Sequence, residues 1–239
     1  MAHKYLFLIS LLMLIRCSEE ESPLRLTDAD YFPLKVGMYA EYEVIERIYS
    51  EIEGEEIFEY DLKQIVTDSF PNAAGGFTFV LNRFRRDNPL EDYQYVATWS
   101  ARVEPSQVVV SEENIPFVVL SFPLVEGKQW DGNALNTMGG EELCGNENNT
   151  PCDIYSVISD KEHFEFNGDL FEALSVSQNN NEDIIVKQDV RTEQYARGLG
   201  LVYKMSSILE YCTVGDCIGK QVIEKGFILE QRLTAIGFE

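Results

Sequence analysis

The chain predicts an all-β fold: an antiparallel curved sheet, half-barrel or sandwich, with little helix. Three observations carry that expectation. Apolar and polar residues alternate with period two in segment after segment, as in half-buried antiparallel strands. No long segment shows the 3.6-residue period of an amphipathic helix. Gly, Asn and Asp gather between the alternating runs, where turns need them.

The elements follow in chain order. Ala40, Tyr42, Val44 and Ile48 share one face of a first strand. Phe58, Tyr60, Leu62 and Val66 are the inner positions of a second, with Glu59, Asp61 and Lys63 outside. Phe77, Phe79 and Leu81 follow a Gly75-Gly76 turn. Tyr93, Tyr95, Ala97, Trp99, Ala101 and Val103 form the longest clean alternation. Val108 to Val110 and Phe117 to Phe122 are short apolar runs, and residues 134 to 143 suit a short helix. Asn167-Gly168, flanked by Phe164 and Phe171, signals a hairpin with a type I′ turn. Gln178 to Asp183 reads as a polar turn before Ile184 to Val186. Phe227, Leu229, Gln231, Leu233 and Ala235 alternate again near the end. Aromatic side chains on such strands serve as core and cross-strand partners, with ligand lining as the alternative.

The first residues carry an address. Lys4 precedes an apolar run from Tyr5 to Ile15, broken only by Ser10 and followed by Arg16 and Cys17. The run is too short to cross a bilayer as a helix, so it reads as a cleaved signal peptide over residues 1–16. Residues 17–30 then form an acidic linker, and 31–239 a single β-rich domain. Leu14-Ile15-Arg16-Cys17 resembles the lipobox of bacterial lipoproteins, in which the cysteine is acylated and becomes the new N-terminus. Arg16 departs from the small residue that the family carries there. Ser18-Glu19-Glu20-Glu21 resembles the export tag of surface lipoproteins of the Bacteroidota. The resemblance implies lipidation of Cys17 and an outer-membrane anchor at the cell surface or the periplasmic face. Several acyl chains on one cysteine give stable anchoring, where one alone is marginal.

Charge excludes a class of partner. The formal net charge is −22, and removal of residues 1–16 takes two cations, Lys4 and Arg16, to give −24. Such a surface repels nucleic acid and anionic head groups. A hydrophobic content of 45% excludes general disorder.

Five cysteines are present, and with Cys17 assigned to lipid four remain: Cys144, Cys152, Cys212 and Cys217. An even set beyond a signal peptide suits disulfides. Three connectivities are possible. Pairing of near neighbours is the simplest, with Cys144–Cys152 stapling a loop and Cys212–Cys217 pinning two strands across a turn. Zinc is the alternative, at spacings wider than the usual cysteine knuckle.

One pattern occurs twice. Phe32-Pro33-Leu34-Lys35-Val36-Gly37 precedes Tyr39 and Tyr42, and Phe122-Pro123-Leu124-Val125-Glu126-Gly127 precedes Trp130. Proline stiffens the entry and glycine supplies the turn, so each reads as loop into strand. Duplication of a β unit and one local solution used twice both explain it. These two segments, together with Tyr195-Ala196-Arg197-Gly198-Leu199-Gly200-Leu201-Val202-Tyr203, look like secreted lipoproteins of the Bacteroidota. That resemblance implies a β-rich extracytoplasmic domain and supplies no catalytic residue.

The search for chemistry yields no catalytic, metal or cofactor set. His163 is the one histidine left after processing, in Lys161-Glu162-His163-Phe164, which reads as an exposed strand edge. No nucleophile elbow, metalloprotease helix, P-loop or dinucleotide fingerprint occurs, and Gly198-Leu199-Gly200 lacks a third glycine. Asn179-Asn180-Asn181-Glu182-Asp183 suits a hairpin turn better than a calcium loop. Asn82-Arg83-Phe84-Arg85-Arg86-Asp87, the basic cluster, reads as a solvated strand end, with an anion site as the alternative. The expected function is that of a non-enzymatic envelope lipoprotein binding a protein partner or a small hydrophobic ligand. A hydrolase using a carboxylate pair is the alternative.

Overall fold

The computed structural model describes residues 27–136, 154–183 and 185–239. Its strands are β1 (Met38–Ser50), β2 (Gly54–Pro71), β3 (Phe77–Arg86), β4 (Gln94–Glu104), β5 (Gln107–Glu112) and β6 (Ile115–Ser121), then β7 (Gln129–Asp131), β8 (Ile154–Phe166), β9 (Asp169–Asp183), β10 (Lys187–Ala196), β11 (Gly200–Tyr211) and β12 (Ile223–Phe238). All lie in one antiparallel sheet, in the order β6-β5-β4-β3-β2-β1-β12-β11-β10-β9-β8-β7. The all-β expectation holds: the sheet curls into a nearly closed barrel, and no α-helix occurs among the described residues.

The topology is an up-and-down meander whose two ends meet. β1 pairs with β12 from Met38↔Phe238 to Tyr49↔Gly226. The remaining seam, between β6 and β7, is stitched rather than laddered. The Val118 amide donates to Gly132 O at 2.9 Å, and the Trp130 indole N–H donates to Val118 O at 2.7 Å.

Period-two alternation decides which side chains enter the barrel. Tyr42 and Val44 are buried while Glu43 between them is exposed, and Leu62, the cross-strand partner of Tyr42, is buried too. Val108 to Val110 and Val118 to Leu120 are buried at every position. At the neighbouring edge of the sheet, Asn136 Nδ2 donates to Pro116 O of β6 at 2.7 Å. Phe58, expected on an inner face, is exposed, and so are Ile48, which shares a face with Tyr42 and Val44, and Phe77. At about 3.3 Å per residue, strands as long as the 18-residue β2 outrun the core, and their ends protrude.

Two turn expectations meet different outcomes. Asn167 (φ 54°) and Gly168 (φ 89°) are both left-handed, as a type I′ hairpin requires. Gln178 to Asp183 is not a turn but the end of β9, which pairs with Lys187 to Arg191 of β10. Backbone pairing there overrides the polar composition, and Asn179 Nδ2 donates to Asp189 Oδ2 across the pair at 2.9 Å. Ala134 and Leu135 of the expected helix form a turn, and residues 137–143 lie outside the described residues.

The repeated pattern opens each six-strand half. Gly37 (φ 89°) donates its N–H to Val66 O of β2, and Gly127 (φ 82°) donates to Val157 O of β8, at 2.8 and 2.9 Å. The following amides, of Met38 and Lys128, return to Lys35 O and Val125 O. Both copies thus make the same turn and reach the second strand of their own half.

These loops and the β10–β11 turn plug one end of the barrel. A short 3-10 turn, Asp28–Tyr31, leads into the first copy. Asp28 accepts from the Leu124 amide of the second copy at 2.8 Å. The Gly198 amide donates to Asp30 O at 2.7 Å, and Arg197 lies over the Tyr31 ring at 4.3 Å. The three segments that carry the lipoprotein resemblance therefore converge in space, and their role is to close the barrel.

Candidate functional site

Above the plug lies a lumen of about 420 Å³. That is within the range of small-molecule sites, roughly 300–1,000 Å³. Phe32 and Leu34 line it from the plug, and Leu81, Trp99, Phe117, Val119 and Tyr155 line it from the strands. The wall also carries charge. Arg83, Glu112, Arg191, Glu193 and Lys204 all line the lumen.

Strand alternation places these groups. Arg83 follows Leu81 on the inner phase of β3, and Glu112 follows Val110 on that of β5. Glu193 of β10 stands opposite Lys204 of β11. Lys204 Nζ lies 2.9 Å from Glu193 Oε1, and the Tyr195 hydroxyl donates to Glu193 Oε2 at 2.5 Å. Glu193 is only 4% exposed, so its charge is held by these two partners rather than by water. Arg191 is engaged by Asp189 at 2.8 Å.

The electrostatics follow from this enclosure. Burial pushes the Glu112 carboxyl above its ordinary range; Glu193 pushes the same way, while Lys204 and Arg83 oppose it. Burial works to lower Lys204, but Glu193 and Glu112 outweigh it, and the net shift is upward. Burial lowers Arg83. Tyr195 is raised strongly, by burial first and by Glu193 second.

Arg83 corrects the reading of the basic cluster as a solvated strand end. Its guanidinium stacks 3.7 Å from the centre of the Trp99 ring, inside the barrel. Arg85 covers the Tyr60 ring at 3.7 Å, and Arg86 pairs with Asp61 at 2.8 Å. The signal for Arg83, Glu112 and Glu193 was present in the sequence: each is a charge on the apolar phase of an alternating strand. Alternation alone does not reveal it, because a charge on a strand is ordinarily solvated.

The expected site residues fall as follows. Cys17, Cys144 and Cys152 lie outside the described residues. Cys212 and Cys217 form a disulfide with Cα atoms 5.8 Å apart. It staples a loop rather than two strands, because β12 begins only at Ile223, beyond the 3-10 turn Gly215–Cys217. His163 is exposed on β8, past the stretch that β7 pairs. No group of three His, Cys, Asp or Glu side chains among the described residues is placed to hold a metal ion.

No protein-family model matches the chain, and no curated protein matches it. Among solved structures, it is similar to a presumed exported protein with a YmcC-like fold from Bacteroides fragilis. Identity there is 15% and the TM-score 0.42, over 86% of this chain and 98% of that one. It is also similar to a presumed lipoprotein from Parabacteroides distasonis, at 12% identity and a TM-score of 0.36, over 87% of this chain and 98% of that one. At these values the likeness adds nothing to the reading of the site.

Proposed function

We propose that this protein is a lipid-anchored envelope lipoprotein, held at the outer membrane through Cys17, that binds a small, mostly apolar molecule inside its barrel. The lumen carries this reading: about 420 Å³, floored by Phe32 and Leu34 and walled by aromatic and aliphatic side chains. A concave, largely apolar cavity with a few convergent polar groups suits a small molecule better than a protein partner. Some exposed apolar side chains, such as Ile52, Leu90 and Val214, stand on separate turns, and others, such as Ile57, Phe58 and Phe77, lie on protruding strand ends.

Two experiments test it. Cys17→Ser is expected to release the protein from membranes or block its processing; wild-type fractionation and maturation remove the anchor. The full chain is expected to bind an environment-sensitive apolar dye such as 1-aminoanthracene. Ser206→Phe places a ring in the lumen from a buried wall position and is expected to abolish that binding with the fold intact. Unchanged binding in a folded Ser206→Phe protein rejects the lumen as the site.

One observation favours a second reading. Glu112, raised by burial, and Glu193, held by a cation, are two carboxylates in different environments facing one cavity. Such a pair is what acid–base hydrolysis of a glycoside uses. Turnover of glycans by the wild type, lost in Glu112→Gln, would establish it over the binding reading.

A further inference from the structure

Resting on the proposal that the lumen binds a small molecule, we propose that the ligand is an amphipathic acid whose anionic oxygens are received by Arg83 and Trp99. The lumen contains hydrogen-bond donors left without acceptors. Arg83 Nε and Trp99 Nε1 are both buried and both lack a hydrogen-bond partner. Buried donors are almost always paired, and an unpaired one is costly, so two beside each other in one cavity need a reason.

The two donors form one unit. The Arg83 guanidinium stacks on the Trp99 ring at 3.7 Å, and both residues line the lumen. The Arg83 side chain makes no hydrogen bond and no ion pair with any described residue; Glu112, facing the same cavity, attracts it only at longer range. Glu193 is taken by Lys204 and Tyr195. Arg191, the other arginine facing the lumen, is engaged by Asp189. Arg83 is thus the cation left to receive a ligand anion.

The chemistry of the ligand follows. A guanidinium presents several donors in a planar fork, which matches a carboxylate or a phosphate. The indole N–H adds one more donor beside it. The same lumen is also lined by Leu81, Phe117, Val119 and Tyr155, which fit an aliphatic or aromatic body. A neutral apolar molecule would leave both donors unpaired. A cation would likewise leave both donors unpaired, and would enter beside Arg83 and Lys204 as well as Glu112 and Glu193.

The test compares head groups on one body. Decanoate, decyl phosphate and decanol are titrated into the full chain and read by Trp fluorescence and calorimetry. Decanoate or decyl phosphate is expected to bind at least tenfold more tightly than decanol, and the tighter of the two identifies carboxylate or phosphate as the head group. Arg83→Gln is expected to remove that advantage, bringing the acids down to the affinity of decanol. Arg83→Lys keeps the charge without the fork and is expected to restore part of it. Trp99→Phe is expected to weaken the acids alone. If all three probes bind equally to wild type and to Arg83→Gln, the acid assignment is overturned while the lumen reading stands. If no probe binds, the lumen reading fails and takes this assignment with it. Should Arg83→Gln not fold, Trp99→Phe and Arg83→Lys carry the comparison.

Discussion

Replacing Lys204 by Met removes the cation from a carboxylate that has almost no water. Glu193 is 4% exposed, and the two charges lie 2.9 Å apart. At an effective dielectric of about 20, the attraction at that separation is roughly 6 kcal/mol. Much of it offsets the cost of desolvating both ions, so the attraction is not the loss to expect. Breaking a buried pair typically costs about 3–5 kcal/mol, because one charge is left uncompensated. Two features lower that figure. The Lys204 side chain keeps 25% of its surface in the lumen, and the Tyr195 hydroxyl still donates to Glu193. A loss of roughly 2–3 kcal/mol at neutral pH is expected for Lys204→Met, discounted from the buried-pair range. Glu193→Gln in the same chain removes the stranded charge and is expected to recover about half of the loss, roughly 1–1.5 kcal/mol; with Glu193→Gln alone measured as well, the cycle gives the coupling. Urea unfolding followed by Trp fluorescence measures both. A single-variant loss below about 1 kcal/mol, with no coupling, would refute the claim that this pair sits in a low-dielectric wall.

Further outcomes follow from other residues. Glu112 has a folded-state pKa raised by burial, so the folded state binds more protons than the unfolded one above the ordinary carboxylate range. Its contribution is present in full below that range and is lost as pH rises through the raised value. Glu112→Gln, which cannot ionise, is expected to lose less stability than wild type as pH rises above the ordinary carboxylate range; parallel stability curves would contradict this. Gly132 sits where a Cβ would meet the Tyr155 ring at 2.4 Å, and Tyr155 is 3% exposed. Gly132→Ala is expected to cost about 1–3 kcal/mol by overpacking, read as a lower Tm; an unchanged Tm would show that the seam can shift freely. The Cys212–Cys217 bridge closes a loop of sequence separation 5. Changing both cysteines to Ser is expected to cost about 2 kcal/mol by the loop-closure model, and a larger loss in urea unfolding would mean that the bridge holds more than its own loop.

The fold class was legible because the barrel keeps a strict period of two. Tyr42, Val44, Leu62 and Leu81 point inward, as their alternation requires, and Asn167-Gly168 dictates its own hairpin through two left-handed residues. The expectation of lipidation is equally local, since it rests on Cys17 and its flanks. Polar composition misled at Gln178 to Asp183, because a strand needs only a partner backbone to pair with, and β10 supplies one.

What the linear chain could not decide was enclosure. Arg83 lies among Arg85, Arg86 and Asp87, and nothing in that run says which of its charges enters the barrel. Phase with Leu81 turns Arg83 inward; the twelve-strand circumference then leaves room for a lumen in which it stacks on Trp99, from the next strand, without an acceptor. Glu193 and Lys204 meet only because β10 and β11 pair, and Glu112 joins them only because the sheet curls round. Periodicity is a property of neighbours in sequence and survives in the chain alone. Burial of a charge depends on which distant strands surround it, and closure of the sheet determines that.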